Sequence, residues 1–234
     1  MHKQKKNIPE TLGIIMDGNR RWARKKGLSV HEGHHAGYEK LKELLRWAKE
    51  AGVKTVVAYA FSSENWNRSK LEVGFLIKLL RHVIANELAY IKEEKVRVRF
   101  IGDLGKFPKD IQEGIRKVEE ETKAYKEHTL ALAISYGGRA EIVSAVKKIA
   151  GEKTKEAIGK MTEKDFSKYL WTNDMSDPDL IIRTGGEKRL SNFLAWQSVY
   201  SELHFTPTYW PAFGQKEFNT ILAEFAMRER RRGR

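Results

Sequence analysis

The sequence predicts an α/β fold: one domain with a central, mainly parallel β-sheet flanked by helices. Three observations carry that expectation. Short apolar, β-branched runs alternate with longer segments of helical period. A hydrophobic fraction of 41% in 234 residues is enough for one sizeable core. No repeat, low-complexity stretch or linker divides the chain.

Residues 12–16, 54–60, 96–101, 130–134 and 180–183 read as buried strands, each an apolar run too short to be a helix. After the first, Tyr38, Leu41, Leu45 and Ala48 recur at helical spacing. Ile111, Ile115 and Val118 mark a second helix face, Ile142, Val143, Val146 and Ile149 a third, and residues 218–227 open a last helix that runs into arginines. Segment 71–91 departs from this pattern. Leu71, Phe75, Leu76, Leu79, Leu80, Val83, Ile84, Leu88 and Ile91 form an apolar face wider than one sheet contact requires. Core on one side with a dimer partner on the other would cover it, and so would service as the wall of a lipid-binding tunnel. Periodicity does not separate the two, and the first is the commoner arrangement.

The chain has 44 Lys+Arg against 31 Asp+Glu, a formal charge of +13, and no cysteine. Disulfide scaffolds, thiolate metal sites, iron–sulfur clusters and cysteine nucleophiles are therefore excluded, and a reducing cytosol is compatible with the composition. A basic balance points to a polyanion: nucleic acid, an anionic membrane surface or a phosphorylated substrate. Residues 1–10 carry a net +2 and residues 224–234 a net +3. They read as a basic N-terminal extension and a basic tail bounding a folded domain that starts at residue 11. No apolar run approaches the roughly eighteen residues a membrane span needs, and residues 1–7 are polar, so a cytoplasmic protein is expected.

In an open parallel sheet, ligands bind beyond the carboxyl ends of the strands. The segments there are Asp17-Gly18-Asn19-Arg20-Arg21-Trp22, Ser62-Ser63-Glu64-Asn65-Trp66-Asn67-Arg68, Tyr136-Gly137-Gly138-Arg139, and residues 183–191 with Arg183, Arg189, Leu190 and Ser191. Glycines that admit backbone N–H groups, helix N-termini and arginines are the groups that hold diphosphates. A lone carboxylate among them, Asp17, would be repelled by phosphate unless Mg²⁺ bridged the two. Other motifs fare less well. His31-Glu32-Gly33-His34-His35 matches the H-E-x-x-H zinc pattern, but Gly27, Ser29 and Gly33 speak against the stable helix that pattern needs. Asp174, Asp177 and Asp179 are interrupted by Pro178, and neither a P-loop nor a dinucleotide fingerprint is present.

These loops, taken with Gly13-Ile14-Ile15-Met16 before the first, Gly33-His34, and Asp179-Leu180-Ile181-Ile182 before Arg183-Thr184-Gly185-Gly186-Glu187, resemble the cis-prenyltransferases, the undecaprenyl diphosphate synthase-type isoprenyl transferases. The resemblance runs from about residue 12 to residue 233. It implies a homodimeric, Mg²⁺-dependent enzyme that elongates an allylic diphosphate such as farnesyl diphosphate with isopentenyl diphosphate, making a cis double bond at each step. It further implies Asp17 as Mg²⁺ ligand and catalytic residue. Gly18, Asn19, Arg20, Arg21 and Trp22, with His34 and Arg68, would form the allylic diphosphate site. Arg183, Arg189, Leu190 and Ser191 would hold isopentenyl diphosphate. Asn65 would take part in proton removal through hydrogen bonding or relay, because an amide is a poor base. Ser62, Ser63, Glu64 and Trp66 would belong to a loop closing over substrate, and segment 71–91 would wall the tunnel that stores the growing chain.

This chain departs from the family pattern in four places. Arg20 stands where many bacterial members have glycine, Val30 where some have arginine, and Ser69 where proline is common. Lys188 stands where some members have a histidine that joins the equivalent of Glu202 at a metal site near the dimer interface; a protonated lysine cannot ligate, which leaves Glu202 as the candidate there. Arg231-Arg232-Gly233 resembles the family's R-x-G ending, which reaches across the dimer. Two alternatives remain: a catalytically silent partner subunit of the same family, and a basic nucleic-acid-binding protein. Asp17, Asn65 and Arg183 together speak against the first, and the absence of a nucleic-acid module against the second. The surplus charge would favour peripheral contact with anionic membranes.

Overall fold

The structure, a computed structural model, describes residues 7–228. Six strands, β1 (Thr11–Ile15), β2 (Thr55–Ser62), β3 (Val96–Ile101), β4 (His128–Tyr136), β5 (Leu180–Arg183) and β6 (Glu202–Phe205), form one parallel sheet in the order β3-β4-β2-β1-β5-β6. The expected α/β architecture is therefore present. The one strand the sequence reading missed is β6, four residues that include Glu202 and His204 and lack an apolar run.

Side-chain alternation explains why both faces are covered. Leu12, Ile14, Val56, Ala58, Leu130, Leu132 and Ile134 point into one apolar layer, while Ile15, Val57, Ala131, Ala133 and Ile181 point into the other with Tyr136 and Phe193. Large residues fill the first layer and alanines thin the second. Burying each large aliphatic side chain contributes roughly 1.5–3 kcal/mol before entropy is counted. Helices α2 (Val30–Ala51), α5 (Lys109–Thr122) and α9 (Gln215–Met227) pack on the first layer through Leu41, Leu44, Ile111, Ile115, Phe218 and Ile221.

Three helical expectations need correction. Residues 31–35 are helical: Ser29 caps α2 and forms a reciprocal capping box with Glu32. Gly33 is tolerated because helix α1 (Asn19–Lys25) crosses there, and a Cβ at Gly33 would lie 2.5 Å from the Asn19 carbonyl oxygen. The zinc pattern still fails. Glu32 is held by Ser29, His31 stacks on Phe75, and no cluster of three His, Asp or Glu side chains suited to a metal occurs among the described residues. Segment 71–91 is two helices, α3 (Lys70–Asn86) and α4 (Leu88–Glu93), broken at Glu87. In α6 (Gly138–Glu152), the buried positions are Gly138, Glu141, Ala145 and Ile149, while Val143 and Val146 are 53% and 51% exposed. Hydrogen bonds from Tyr136 and Gln197 to Glu141 turn that polar face inward.

Candidate active site

Register brings the site together. Ile15 of β1 lies opposite Arg183 of β5, so Asp17, two residues beyond, meets the end of the neighbouring strand. Chain order reverses between β1 and β5, the place where an open parallel sheet leaves a crevice. Asp17 Oδ2 accepts from Arg183 Nη2 at 2.9 Å, and Asp17 Oδ1 lies 3.0 Å from Arg21 Nη2. The Asp17 carbonyl accepts from the Thr184 hydroxyl and from the Trp210 N–H, which fixes the backbone on which the carboxylate stands. Arg21 also reaches Glu187 at 3.8 Å and lies 5.3 Å from the Tyr209 ring centre.

Gly18 makes the turn into α1 with φ of 112°, and a Cβ there would strike Tyr209. Asn19, Arg20 and Arg21 follow in the first turn of α1, whose N–H groups have no partner within the helix, and the Trp22 N–H closes that turn by donating to the Gly18 carbonyl at 2.8 Å. Arg20, Arg68 and His34 gather on one carboxylate, Glu72, at 3.7, 2.9 and 3.4 Å. Glu72 is the only buried residue of α3, and the sequence reading did not single it out. The signal was there: one acidic residue, four after Arg68, in an apolar helix. Burial holds the His34 imidazole below the ordinary histidine range, although Glu72 pulls the other way.

On the opposite side of Asp17, buried Arg183 donates to the Arg189 carbonyl at 2.5 Å and the Ser191 hydroxyl at 2.7 Å, and its Nε has no partner in the protein. The Arg189 side chain pairs with Glu187, and Leu190 packs on the second apolar layer. Ser62 ends β2 and caps the 3₁₀ turn Ser63–Asn67, which carries Ser63, Glu64, Asn65 and Trp66. Asn65 Oδ1 accepts the Ser62 N–H at 3.1 Å, and Trp66 Nε1 donates to Ser135 at 2.9 Å. Glu202 stands apart. It opens β6 opposite Leu180, at the far end of the strand from Arg183, and pairs with Arg228; Lys188 is exposed. The Arg231-Arg232-Gly233 ending lies outside the described residues.

Behind Asn19 and His34 opens an apolar cavity between α2, α3 and the large-residue face of the sheet. Leu41, Leu76, Leu80, Val83 and Ile84 line its helical side, and Val98, Phe100, Leu132 and Ile134 its floor. That explains why α3 is rich in leucine yet has no fully buried apolar residue: the apolar side chains from Leu76 to Ile84 face a hollow, and Leu71 faces solvent.

A protein-family model described as putative undecaprenyl diphosphate synthase matches residues 15–233. The isoprenyl transferase of Fusobacterium nucleatum is 48% identical, covering 97% of both chains. A synthase of Methanopyrus kandleri, named tritrans,polycis-undecaprenyl-diphosphate synthase (geranylgeranyl-diphosphate specific), is 46% identical over 97% of this chain and 85% of its own. Among solved structures, lavandulyl diphosphate synthase from Lavandula x intermedia in complex with dimethylallyl diphosphate superposes with a TM-score of 0.92 at 35% identity, covering 98% of this chain and 100% of its own. Nearly complete coverage by relatives, fold and family model leads to one assignment: the chain is a prenyltransferase of the undecaprenyl diphosphate synthase family.

Proposed function

We propose that the protein condenses isopentenyl diphosphate units onto an allylic diphosphate primer, farnesyl diphosphate or a homologue, to make a cis-polyprenyl diphosphate. The observation that carries this is the junction of two cationic clusters at Asp17 with an apolar cavity beginning at Asn19 and His34. One cluster, Arg20, Arg21, His34 and Arg68 with the first turn of α1, suits the allylic diphosphate, leaving its hydrocarbon to enter the cavity. The other, Arg183, Arg189 and Ser191, suits the diphosphate of isopentenyl diphosphate.

The donor set fits Mg²⁺. One partly exposed carboxylate, Asp17, facing two phosphate sites is the usual protein share of a Mg²⁺ held mainly by substrate oxygens and water. When bound, the ion would neutralise charge growing on the departing diphosphate. In the reaction the allylic C–O bond breaks with its electrons passing to diphosphate, and the alkene of isopentenyl diphosphate attacks the allylic carbon. A proton then leaves C2. The guanidiniums of Arg21 and Arg68 stabilise the leaving group. Asn65 has its Oδ1 committed to Ser62, so its free amide N–H can orient a diphosphate oxygen, which is the better proton acceptor. Glu202 pairs with Arg228, no group of three metal-ligating side chains forms around it among the described residues, and this reading places no step on it.

A homodimer of this chain completes the reading. Val143, Val146, Val199, Tyr200 and Leu203 are exposed, and β6 is an open sheet edge. No helix of the described residues is long and apolar enough to cross a membrane, and the +13 charge suits cytoplasmic work with peripheral contact to anionic lipid. No nucleic acid takes part. The test is incubation with labelled isopentenyl diphosphate, Mg²⁺ and farnesyl or geranylgeranyl diphosphate. Chain-elongated products are expected; no product with either primer would overturn the reading.

A further inference from the structure

Three of the four residues 191–194 adopt a conformation that side chains avoid. Ser191, Asn192 and Leu194 have φ of 49°, 67° and 47°, a left-handed backbone that costs of order 1 kcal/mol or more for each non-glycine residue. Such strain persists only where surroundings over-determine it, and here they do. The Tyr59 hydroxyl donates to the Ser191 carbonyl at 3.3 Å, Arg183 donates to the Ser191 hydroxyl at 2.7 Å, and the Gly138 N–H donates to the Asn192 carbonyl at 2.7 Å. The Asn192 side chain then joins two further loops. Its Oδ1 accepts the Arg139 N–H at 2.9 Å, and its Nδ2 donates to Glu64 Oε1 at 2.9 Å. The orientation of the amide is fixed, because a backbone N–H needs the oxygen and a carboxylate needs the nitrogen. Gly137 makes room: a Cβ there would lie 2.6 Å from Asn192 Nδ2 and 2.5 Å from Ser63 Oγ.

We propose that Asn192 is a positioning residue that latches the 62–67 turn to the Arg183–Ser191 cradle, so that ordering the turn and forming the second diphosphate site are one event. The identity of that diphosphate rests on the reading above. Asn192 sits one residue from Ser191, which Arg183 holds, and grips Glu64, one residue from Asn65. Burial raises the Glu64 carboxyl, but its hydrogen bonds, led by that from Asn192, bring it below the ordinary glutamate range and keep it ionised as the acceptor. Asn192 touches no reacting atom. It sets the distance between the groups that do.

Exchange of donor and acceptor tests this. Asn192→Asp tolerates the same backbone and still serves the Arg139 N–H, but it loses the donor and sets two carboxylates face to face. The KM for isopentenyl diphosphate should rise about tenfold or more, the size of a lost charge-assisted hydrogen bond, with a smaller change in kcat. Hydrogen exchange of the 62–68 peptide should quicken. Adding Glu64→Gln restores one hydrogen bond with its direction reversed, and should return both readouts to near those of Glu64→Gln alone. Glu64→Ala, which leaves the strained segment untouched, should reproduce the Asn192→Asp effects. A double variant no better than Asn192→Asp, or single variants with unchanged KM and exchange, would overturn the latch. If the wild type makes no product, the substrate reading fails and the exchange comparison alone decides the latch.

Discussion

Arg183, 5% exposed, divides its guanidinium between Asp17, the Arg189 carbonyl and the Ser191 hydroxyl, and so holds the Asp17 carboxylate and the 189–191 segment in one geometry. A lysine has one donor head without the planar fork. Arg183→Lys is therefore expected to raise the KM for isopentenyl diphosphate about tenfold or more while the chain still folds; an unchanged KM would remove Arg183 from that site. Glu72 has the complementary task of spacing Arg20, Arg68 and His34. Glu72→Gln should cost about 1–2 kcal/mol in urea unfolding, a modest figure because both arginines keep access to water, and should weaken allylic diphosphate binding by loosening the cluster. His34 adds a pH dependence. Its folded pKa lies below the unfolded value of 6.5, so the unfolded chain binds the extra proton first. That contribution is full above pH 6.5 and is lost as pH falls through the folded pKa. Urea midpoints measured from pH 7.5 down to pH 5 should fall less in His34→Gln than in the wild type.

Helix α3 joins stability to function through what it leaves open. Leu76, Leu79, Leu80 and Val83 face a cavity, so on the proposed reading a larger side chain there should occupy volume that the substrate hydrocarbon would fill. Leu80→Trp is expected to shift products to shorter chains with primer binding intact, as read by chromatography of labelled products. An unchanged length distribution would separate the cavity from chain storage. Much of this was legible in sequence. Alternating apolar runs located five strands because buried parallel strands need apolar residues on both faces. The meeting of Asp17 with Arg21 and Arg183 was legible because loops that follow the strands of a parallel sheet converge at its carboxyl edge. What failed to show in the pattern has physical reasons. Strand β6 is four residues long and lies at an edge, where polar side chains are tolerated. Gly33 reads as a helix breaker until α1 is seen pressing against it. Glu72 and Asn192 act through contacts 38 and 128 residues away along the chain, beyond the reach of any local pattern.

Across the molecule, the +13 charge divides between work and surface. Arg20, Arg21, Arg68 and Arg183 are drawn to two carboxylates at the crevice, where substrate phosphates and Mg²⁺ would take over part of the pairing. On another flank, Val199 and Tyr200 are each 71% exposed beside the open edge of β6. Light scattering should give twice the chain mass, and Val199→Glu with Tyr200→Glu should lower it; a monomeric wild type would refute the dimer. On the proposed reading, Asp17 organises a metal-assisted transfer of the allylic group onto isopentenyl diphosphate. The most direct measurement compares wild type and Asp17→Ala for incorporation of labelled isopentenyl diphosphate onto farnesyl diphosphate with Mg²⁺, alongside circular dichroism of both. We expect a loss of about a thousandfold or more in rate with an unchanged spectrum. Near-normal turnover by Asp17→Ala would contradict it.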